Sequence, residues 1–455
     1  MKKYEAYKDS GIEWIGEIPK EWSILRMKHY FYMKGRIGWQ GLKADEFIED
    51  GPYLVTGTDF VNGKVCWERC YHISEERFNE APEIHVQQGD LLITKDGTVG
   101  KLALIEEKPE KVSLNSHLLI LRPVKGEINN HFVYWALQSM IFKDYVGFAS
   151  SGSTMASLSQ EKIGEFPLIL PTLSEQQIIV SYLDYKIGQI DASVSAINSQ
   201  IDDLKAYRQS IISETVTKGL KSDVKMKDSG VEWIGEIPEE WEFRKIKTLL
   251  TRDSDNIKVG PFGSSLSGND IEAEGNYWVY NQRTILDNNF TTNNSFVSDD
   301  KYQELKSFSV YPGDILITTR GTIGKVAIVP EGAKEGILHP CVIRFKVDES
   351  MVNKQYLKYI FNDCNIMSEQ VKYGSNATTI EVIYSYTLKD LKMPVPSLSE
   401  QQAIATYLDI KTSKIDSAIK SLEAQRDDLN AFKQSIISEA VTGKIDVRDW
   451  KPSIE

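Results

Sequence analysis

Residues that carry chemistry directly are scarce in this chain. Four cysteines, Cys66, Cys70, Cys341 and Cys364, are scattered through 455 residues. They form no disulfide framework, which points to a reducing, cytoplasmic setting. Cys66, Cys70 and His72 lie close together but not at a zinc spacing, and the second half of the chain offers no counterpart. Six histidines leave little for acid–base catalysis. No run of about 18 apolar residues could span a membrane, and the start, "MKKYEAYKDSGIEW", lacks the apolar stretch of a secretory signal. Basic residues are in the minority: the net charge of −12 argues against a free-standing nucleic-acid binder. A local basic groove or a basic partner could still supply phosphate contacts. A hydrophobic content of 41% is ordinary for a soluble globular chain.

Catalytic motifs are also missing. "KDGTVGK" (Lys95 to Lys101) and "TRGTIGK" (Thr319 to Lys325) fail as phosphate loops: the glycines are too close together and no Ser or Thr follows the lysine. They read instead as hairpin turns. "GPFGSS" (Gly260 to Ser265) is Gly-rich without dinucleotide spacing. There is no nucleophile elbow, histidine metal cluster or adenine-methyltransferase tetrapeptide, so catalysis within this chain is not expected.

What the chain does have is repetition. "KDSGIEWIGEIP" at 8–19 returns as "KDSGVEWIGEIP" at 227–238, each followed by a tryptophan, Trp22 or Trp241. "PTLSEQQ" from Pro171 opens a long Pro-free run to Leu220, and "PSLSEQQ" from Pro396 opens another to Ile445. Each opening reads as a helix start, with Ser174 or Ser399 as N-cap and Gln177 or Gln402 completing a capping box. Leu173 would staple onto Ile178, and Leu398 onto Ala403. Gly219 and Gly443 stand where a left-handed residue ends a helix. Within the runs, Ile187, Ile190, Val194, Ile197, Ile201, Leu204 and Ile211 keep heptad spacing, as do Ile415, Ile419, Leu422, Leu429, Phe432 and Ile436, with Arg426 interrupting the second series. Such a rod would be roughly 65 Å long, and two with narrow apolar stripes are expected to pair with each other.

The remainder reads as two globules of short strands with some helix. Asn62-Gly63 marks a hairpin, "GDLLITKDGTVGKLALI" and "GDILITTRGTIGKVAIV" read as strand, Gly turn, strand, and "HFVYWALQSM" and "NKQYLKYIFN" read as helices before polar loops. The class is α+β: two tandem mixed globules separated by long helices that pair as an antiparallel coiled coil, with pseudo-twofold repetition. The segments are 1–170 and 221–395 (globules), 171–220 and 396–445 (helices), and 446–455 (tail). Residues 28–88 and 247–310 barely align, so each globule has an individual face on a shared scaffold.

Those individual regions hold the better candidates for nucleic acid. Arg36, Trp39 and Gln40 combine a planar cation, an aromatic and an amide in a Gly-flexible loop, and Asn281, Gln282 and Arg283 offer a similar set. Arginine and glutamine read guanine and adenine edges bidentately. Lys95, Lys101, Arg320 and Lys325 beside the Gly turns could hold phosphates, and Ser153, Thr154 and Ser375 could bond them.

Two variable globules, each followed by a "P-x-L-S-E-Q-Q" helix, with "WIGEIP" before and "GD-(I/L)-L-I-x-x-x-G-T-(I/V)-G" within, resemble the specificity subunit of type I restriction–modification systems over essentially the whole chain. The resemblance implies two target recognition domains, each reading one half of a bipartite site on double-stranded DNA. It implies that the coiled coil is both spacer and docking surface for two methyltransferase subunits, with motor–nuclease subunits joining them. S-adenosylmethionine, ATP and Mg2+ would be used by those partners, and this chain would be non-catalytic. The alternatives are a specificity chain of a methylation-only or orphan system, and a coiled-coil adaptor whose globules bind proteins.

Overall fold

The repeat folds into two compact units: Met1–Asn198 with Glu423–Glu455, and Ser199–Leu422. The computed structural model describes residues 2–36, 41–150, 158–231, 234–374 and 382–452. The dividing lines fall inside the two long helices, Leu173–Lys218 (the central helix) and Leu398–Val441 (the C-terminal helix). Each unit therefore combines one globule, the first half of the helix that follows it, and the second half of the other helix. An amphipathic helix derives most of its stability from packing, so its halves group with the surfaces that bury them and not with a sequence boundary at 171 or 396.

In the first unit a four-stranded antiparallel sheet runs in the order Leu102–Leu104, Leu91–Thr94, Leu118–Pro123, Phe31–Lys34. Leu91–Thr94 is buried along its whole length. Its side chains alternate between two cores: Leu91 and Ile93 join the helices, and Leu92 faces the second sheet. A strand covered on both faces must be apolar at every position, which explains the unbroken "LLI". The second sheet orders Val112–Leu114, Ile48–Val55 and Tyr71–His72, the first two parallel.

The second unit repeats this plan. Its four-stranded sheet runs Val326–Ile328, Ile315–Thr318, Val342–Phe345, Ile257–Val259, and its three-stranded sheet Gly336–Leu338, Tyr277–Tyr280, Phe296–Val297, again with the first two parallel. Ile257–Val259 and Tyr277–Tyr280 thus occupy the places of Phe31–Lys34 and Ile48–Val55, inside the regions whose sequences do not align. Strand placement there depends on burial and pairing, which many sequences satisfy.

The predicted hairpins and helices are present. Asn62 and Gly63 have φ of 50° and 77° between the paired strands Phe60–Val61 and Lys64–Val65. "HFVYWALQSM" contributes to helix Asn130–Ala136 and "NKQYLKYIFN" to Lys354–Asn362.

The helix starts differ from the expected ones. Each long helix begins at the leucine, so Thr172 and Ser397 take the capping place and Ser174 and Ser399 lie inside the first turn. The Thr172 N–H donates to Glu175 Oε2 at 3.2 Å and the Glu175 N–H to Thr172 Oγ1 at 3.4 Å. The Glu400 N–H donates to Ser397 Oγ at 3.3 Å. Leu173 and Leu398, expected to staple the helix starts, are each 40% exposed. Both serine/threonine–x–x–acid/amide registers exist in the sequence, and tertiary contacts select the upstream one. It aims Glu175 and Glu400 at the indole N–H groups of buried Trp22 and Trp241, each at 3.2 Å. It also turns the first glutamine inward: Gln176 accepts from the Asn129 N–H (2.8 Å) and donates to the Glu127 and Pro171 carbonyls. Gln401 does the same with Asn353, Met351 and Pro396. Gln401→Ala strands these buried backbone groups, so the thermal transition of the second unit should shift by a loss of about 1–3 kcal/mol. A loss no larger than that of the exposed Gln402→Ala would contradict this clamp.

At the helix exits Gly219 and Gly443 adopt φ of 79° and 71°. A Cβ at Gly219 would meet Trp241, and one at Gly443 would meet Pro19 and Trp22. Left-handed backbone and a tryptophan lid together demand glycine. In the first unit the chain beyond Gly443 returns to the N-terminal segment: the Tyr7 hydroxyl donates to the Gly443 carbonyl at 3.1 Å, and the Asp446 N–H to that of Lys2 at 2.9 Å.

The long helices pair antiparallel within each unit. In the first, Ile187 and Ile190 share a core with Ile436 and Ile437, and Lys433 pairs with Asp191 at 2.5 Å. In the second, Ile212 and Val216 meet Ile404, Ala405 and Leu408, while Arg208 bridges Asp363 (2.7 Å) and Asp416 (2.9 Å). The buried stripe is wider than the predicted heptad seam because each helix also packs on its globule. Ile212 is buried where Ile211 was expected, and Phe432 is 49% exposed. Arg426 bonds its neighbour Asp427 at 3.0 Å.

Candidate nucleic-acid interface

The recurring "GD" positions the site. Asp90 accepts from the Gln87 N–H at 2.7 Å and holds Arg122, from the adjacent strand, through two 2.7 Å contacts. Asp314 accepts from the Tyr311 N–H (2.8 Å) and faces Arg344 at 3.3 Å, which also reaches Asp255 at 2.7 Å. Burial pushes the Asp314 carboxyl above its ordinary range, against the Tyr311 N–H and Arg344, which favour its charged form. These pairs tie the central strands together below the Gly turns.

At the far end of the same strands, Thr94 Oγ1 accepts from the Lys101 N–H (2.9 Å) and donates to the Thr98 carbonyl, folding the turn back on itself. Thr318 Oγ1 repeats this with Lys325 (3.0 Å) and Thr322 (2.6 Å). In the first unit the Lys95 N–H donates to the His117 carbonyl (2.9 Å) and the Leu158 N–H to that of Lys95 (2.8 Å). In the second, the Thr319 N–H reaches the Cys341 carbonyl (3.1 Å) and the Ile383 N–H that of Thr319 (3.0 Å). Gly260, at the end of its strand, is so close to the His339 carbonyl that a Cβ could not fit. Each unit thus gathers the Gly turn, the turn before the next strand and the chain just after the polar loop at one end of its sheet. In the second unit burial pushes His339 below the usual imidazole range. Neutral at pH 7, it accepts from the Cys341 N–H at Nδ1 (3.1 Å).

The structure sorts the sequence candidates. Lys95, Lys101 and Arg320 stand at the Gly turns, half-buried to exposed, and have no side-chain partner among the described residues. Lys325 is engaged, donating to the Asn362 carbonyl. Arg36 is 2% exposed, with Nε on the Leu114 carbonyl (2.8 Å) and Nη2 on Ser113 Oγ (3.0 Å). A guanidinium enclosed in that way fastens the chain just after Phe31–Lys34 to strand Val112–Leu114. Asn281 is the N-cap of helix Gln282–Leu286, accepting from the Thr284 N–H at 3.2 Å. Gln282 braces the Gly turn by donating to the Arg320 carbonyl at 2.6 Å. Arg283 faces solvent, with Asp287 at 3.2 Å. Trp39, Gln40, Ser153, Thr154 and Ser375 lie outside the described residues.

The structure brings the candidates Asn281 and Arg283 into a pocket of about 370 Å³ with Asp287, Asn289, Thr292, Asn293 and Asn294, of which sequence reasoning missed the last five. The asparagine-rich "LDNNFTTNNS" was their signal. Sequence reasoning also missed the exposed aromatics Phe262, Tyr384 and Tyr386. Among the described residues no cluster of His, Cys, Asp and Glu could hold a metal ion, and no helix is long and apolar enough to cross a membrane. An end of this kind, with cations that have no partner among the described residues, amides and aromatics over rigid turns, suits a polyanion with readable edges. Arg320→Ala or Lys101→Ala should weaken DNA binding evenly across sequences and lower the salt slope by about one each. Loss confined to one sequence would instead make the residue a base reader.

Residues 31–202 and 238–425 match a family model described as the type I restriction modification DNA specificity domain. The chain is similar to the type I restriction enzyme MjaVIII specificity subunit of Methanocaldococcus jannaschii, 24% identical over 442 residues and 95% of each chain. It is likewise similar to the EcoBI specificity subunit of Escherichia coli, 24% identical over 417 residues, 90% of this chain and 83% of the other. Among solved structures, a chain from work on complex assembly and conformational transition of the type I R-M system superposes with a TM-score of 0.70 at 14% identity, covering 94% of this chain and 99% of that one.

Proposed function

The chain belongs to the type I restriction–modification DNA specificity family, and from that premise we propose that each unit reads one half of a bipartite DNA site while the paired helices set the gap between the halves. One observation carries this reading. The two units share sheets, clamps and Gly turns, whereas residues 28–88 and 247–310, the latter holding the Asn281–Arg283 helix start and the exposed Phe262, barely align. Equal scaffolds with unequal faces suit two unlike half-sites.

The same reading places the chemistry in partner chains. Two methyltransferase subunits would dock on the exposed faces of the long helices and use S-adenosylmethionine, and motor–nuclease subunits would bring ATP and Mg2+. Partners that enclose the duplex would share the neutralisation of phosphates, which an overall charge of −12 does not favour.

The test is a methylome. The chain is co-expressed with its neighbouring methyltransferase in a host lacking such modification, and methylated adenines are mapped by single-molecule sequencing. A split motif, two short specified blocks around an unspecified gap, is the expected result. No new methylation from a soluble, associated complex would overturn the reading.

A further inference from the structure

The loop end of the second unit carries aromatic side chains without cover. Phe262 is 84% exposed at the tip of Gly260-Pro261-Phe262-Gly263. Tyr384 and Tyr386 stack on each other, centroids 5.3 Å apart and planes 7° from parallel, and both face solvent. The loop of Phe262 leaves the end of strand Ile257–Val259, and helix Ser385–Asp390, which carries Tyr386, packs against that strand. The chain just before Tyr384 is bonded to the Gly turn through Ile383 and Thr319.

The ring is presented on a fixed backbone. The Gly260 N–H donates to the Val342 carbonyl at 2.9 Å, and the Phe262 carbonyl accepts from the N–H groups of Ser265 (2.8 Å) and Leu266 (3.1 Å). Leu266 is buried beside Val279 and Ile337, anchoring the far side of the turn. Residues 260–268 carry no charge, while the neighbouring Gly turn offers the exposed Arg320. An apolar ring held out on a neutral turn next to a phosphate-seeking cation matches the side chains that enter base steps, where unstacking is repaid by a closer fit of the duplex.

We propose that Phe262 is a wedge that inserts into a base step of the half-site met by the second unit, with the Tyr384–Tyr386 stack against the flanking backbone. This rests on the half-site reading above and adds a mode of recognition that deforms the DNA.

The experiment uses the complex of the full chain with its methyltransferase subunits. Duplexes bear the methylome-defined site with 2-aminopurine in turn at each adenine of either half-site except the methylated ones, which a methyltransferase extrudes by itself. Fluorescence should rise several-fold at positions in one half-site only. Phe262→Ala should abolish that rise and weaken specific binding about 10- to 100-fold with an unchanged salt slope, and Phe262→Leu should retain most of both. Complex assembly and readout of the other half-site serve as the folding control. Phe262→Ala with wild-type affinity and fluorescence overturns the wedge. So does a loss of affinity reproduced by replacing thymine with uracil without any fluorescence change, which would make Phe262 a reader of the thymine methyl. A wild-type complex without split-site preference defeats the half-site reading itself, and the wedge with it.

Discussion

Inserting four residues, about one helical turn, into both long helices should lengthen the preferred gap between the two specified blocks by roughly two base pairs and leave the blocks themselves unchanged. The insertions belong near Asn198 and Leu422, where the helices pass from one compact unit to the other. Four residues add about 6 Å of helix, and a base pair occupies about 3.4 Å. Methylation at the original spacing should fall about 100-fold, comparable to one or two mismatched base pairs, and recover at the longer one. Mapping methylated sites in a cell carrying the altered chain reads both quantities at once. An unchanged gap would sink the idea that the helices act as a ruler. Insertion into only one helix should instead break the antiparallel register, separating Lys433 from Asp191 or Arg208 from Asp416, and yield poorly folded protein.

The second large effect is on stability. Asp314→Ala removes the buried partner of Arg344, itself only 1% exposed. A guanidinium left without compensation in that interior costs about 3–5 kcal/mol, although Asp255 at the rim still holds one edge of it. Asp90→Ala should cost less, because the side chain of Arg122 is a quarter exposed and water can replace part of what is lost. Thermal unfolding of the two variants, followed by probes in each unit, tests the ranking. Asp314→Leu combined with Arg344→Met should recover much of the loss, since an apolar pair leaves no charge stranded. If Asp314→Ala proves no worse than Asp90→Ala, the pair is not the brace described.

Much of this protein was legible without coordinates. The tandem repeat, the long helices with their glycine exits, the Asn62-Gly63 hairpin and the strand–turn–strand around each "GT(V/I)G" are written in local patterns. Caps, periodicity and turn residues act over a few positions, and the folded chain keeps them. The register of the helix start was ambiguous locally, and Trp22 and Trp241, with the Glu127 and Met351 carbonyls that hold Gln176 and Gln401, resolved it from a distance.

The fate of individual polar side chains was not legible. Arg36 looked like a base reader until it met Ser113, 77 residues away, and disappeared into the interior. Asn281 and Gln282 matched the chemistry of an adenine reader, but the fold uses them to cap a helix and brace a turn. Phe262, dismissed in the sequence as part of a Gly-rich stretch, emerged at the surface. By itself the sequence determined the architecture, because repetition and periodicity are properties of neighbours along the chain. Which cation, amide or ring remains free to touch DNA was decided only by tertiary structure, because burial depends on partners that the sequence places far apart.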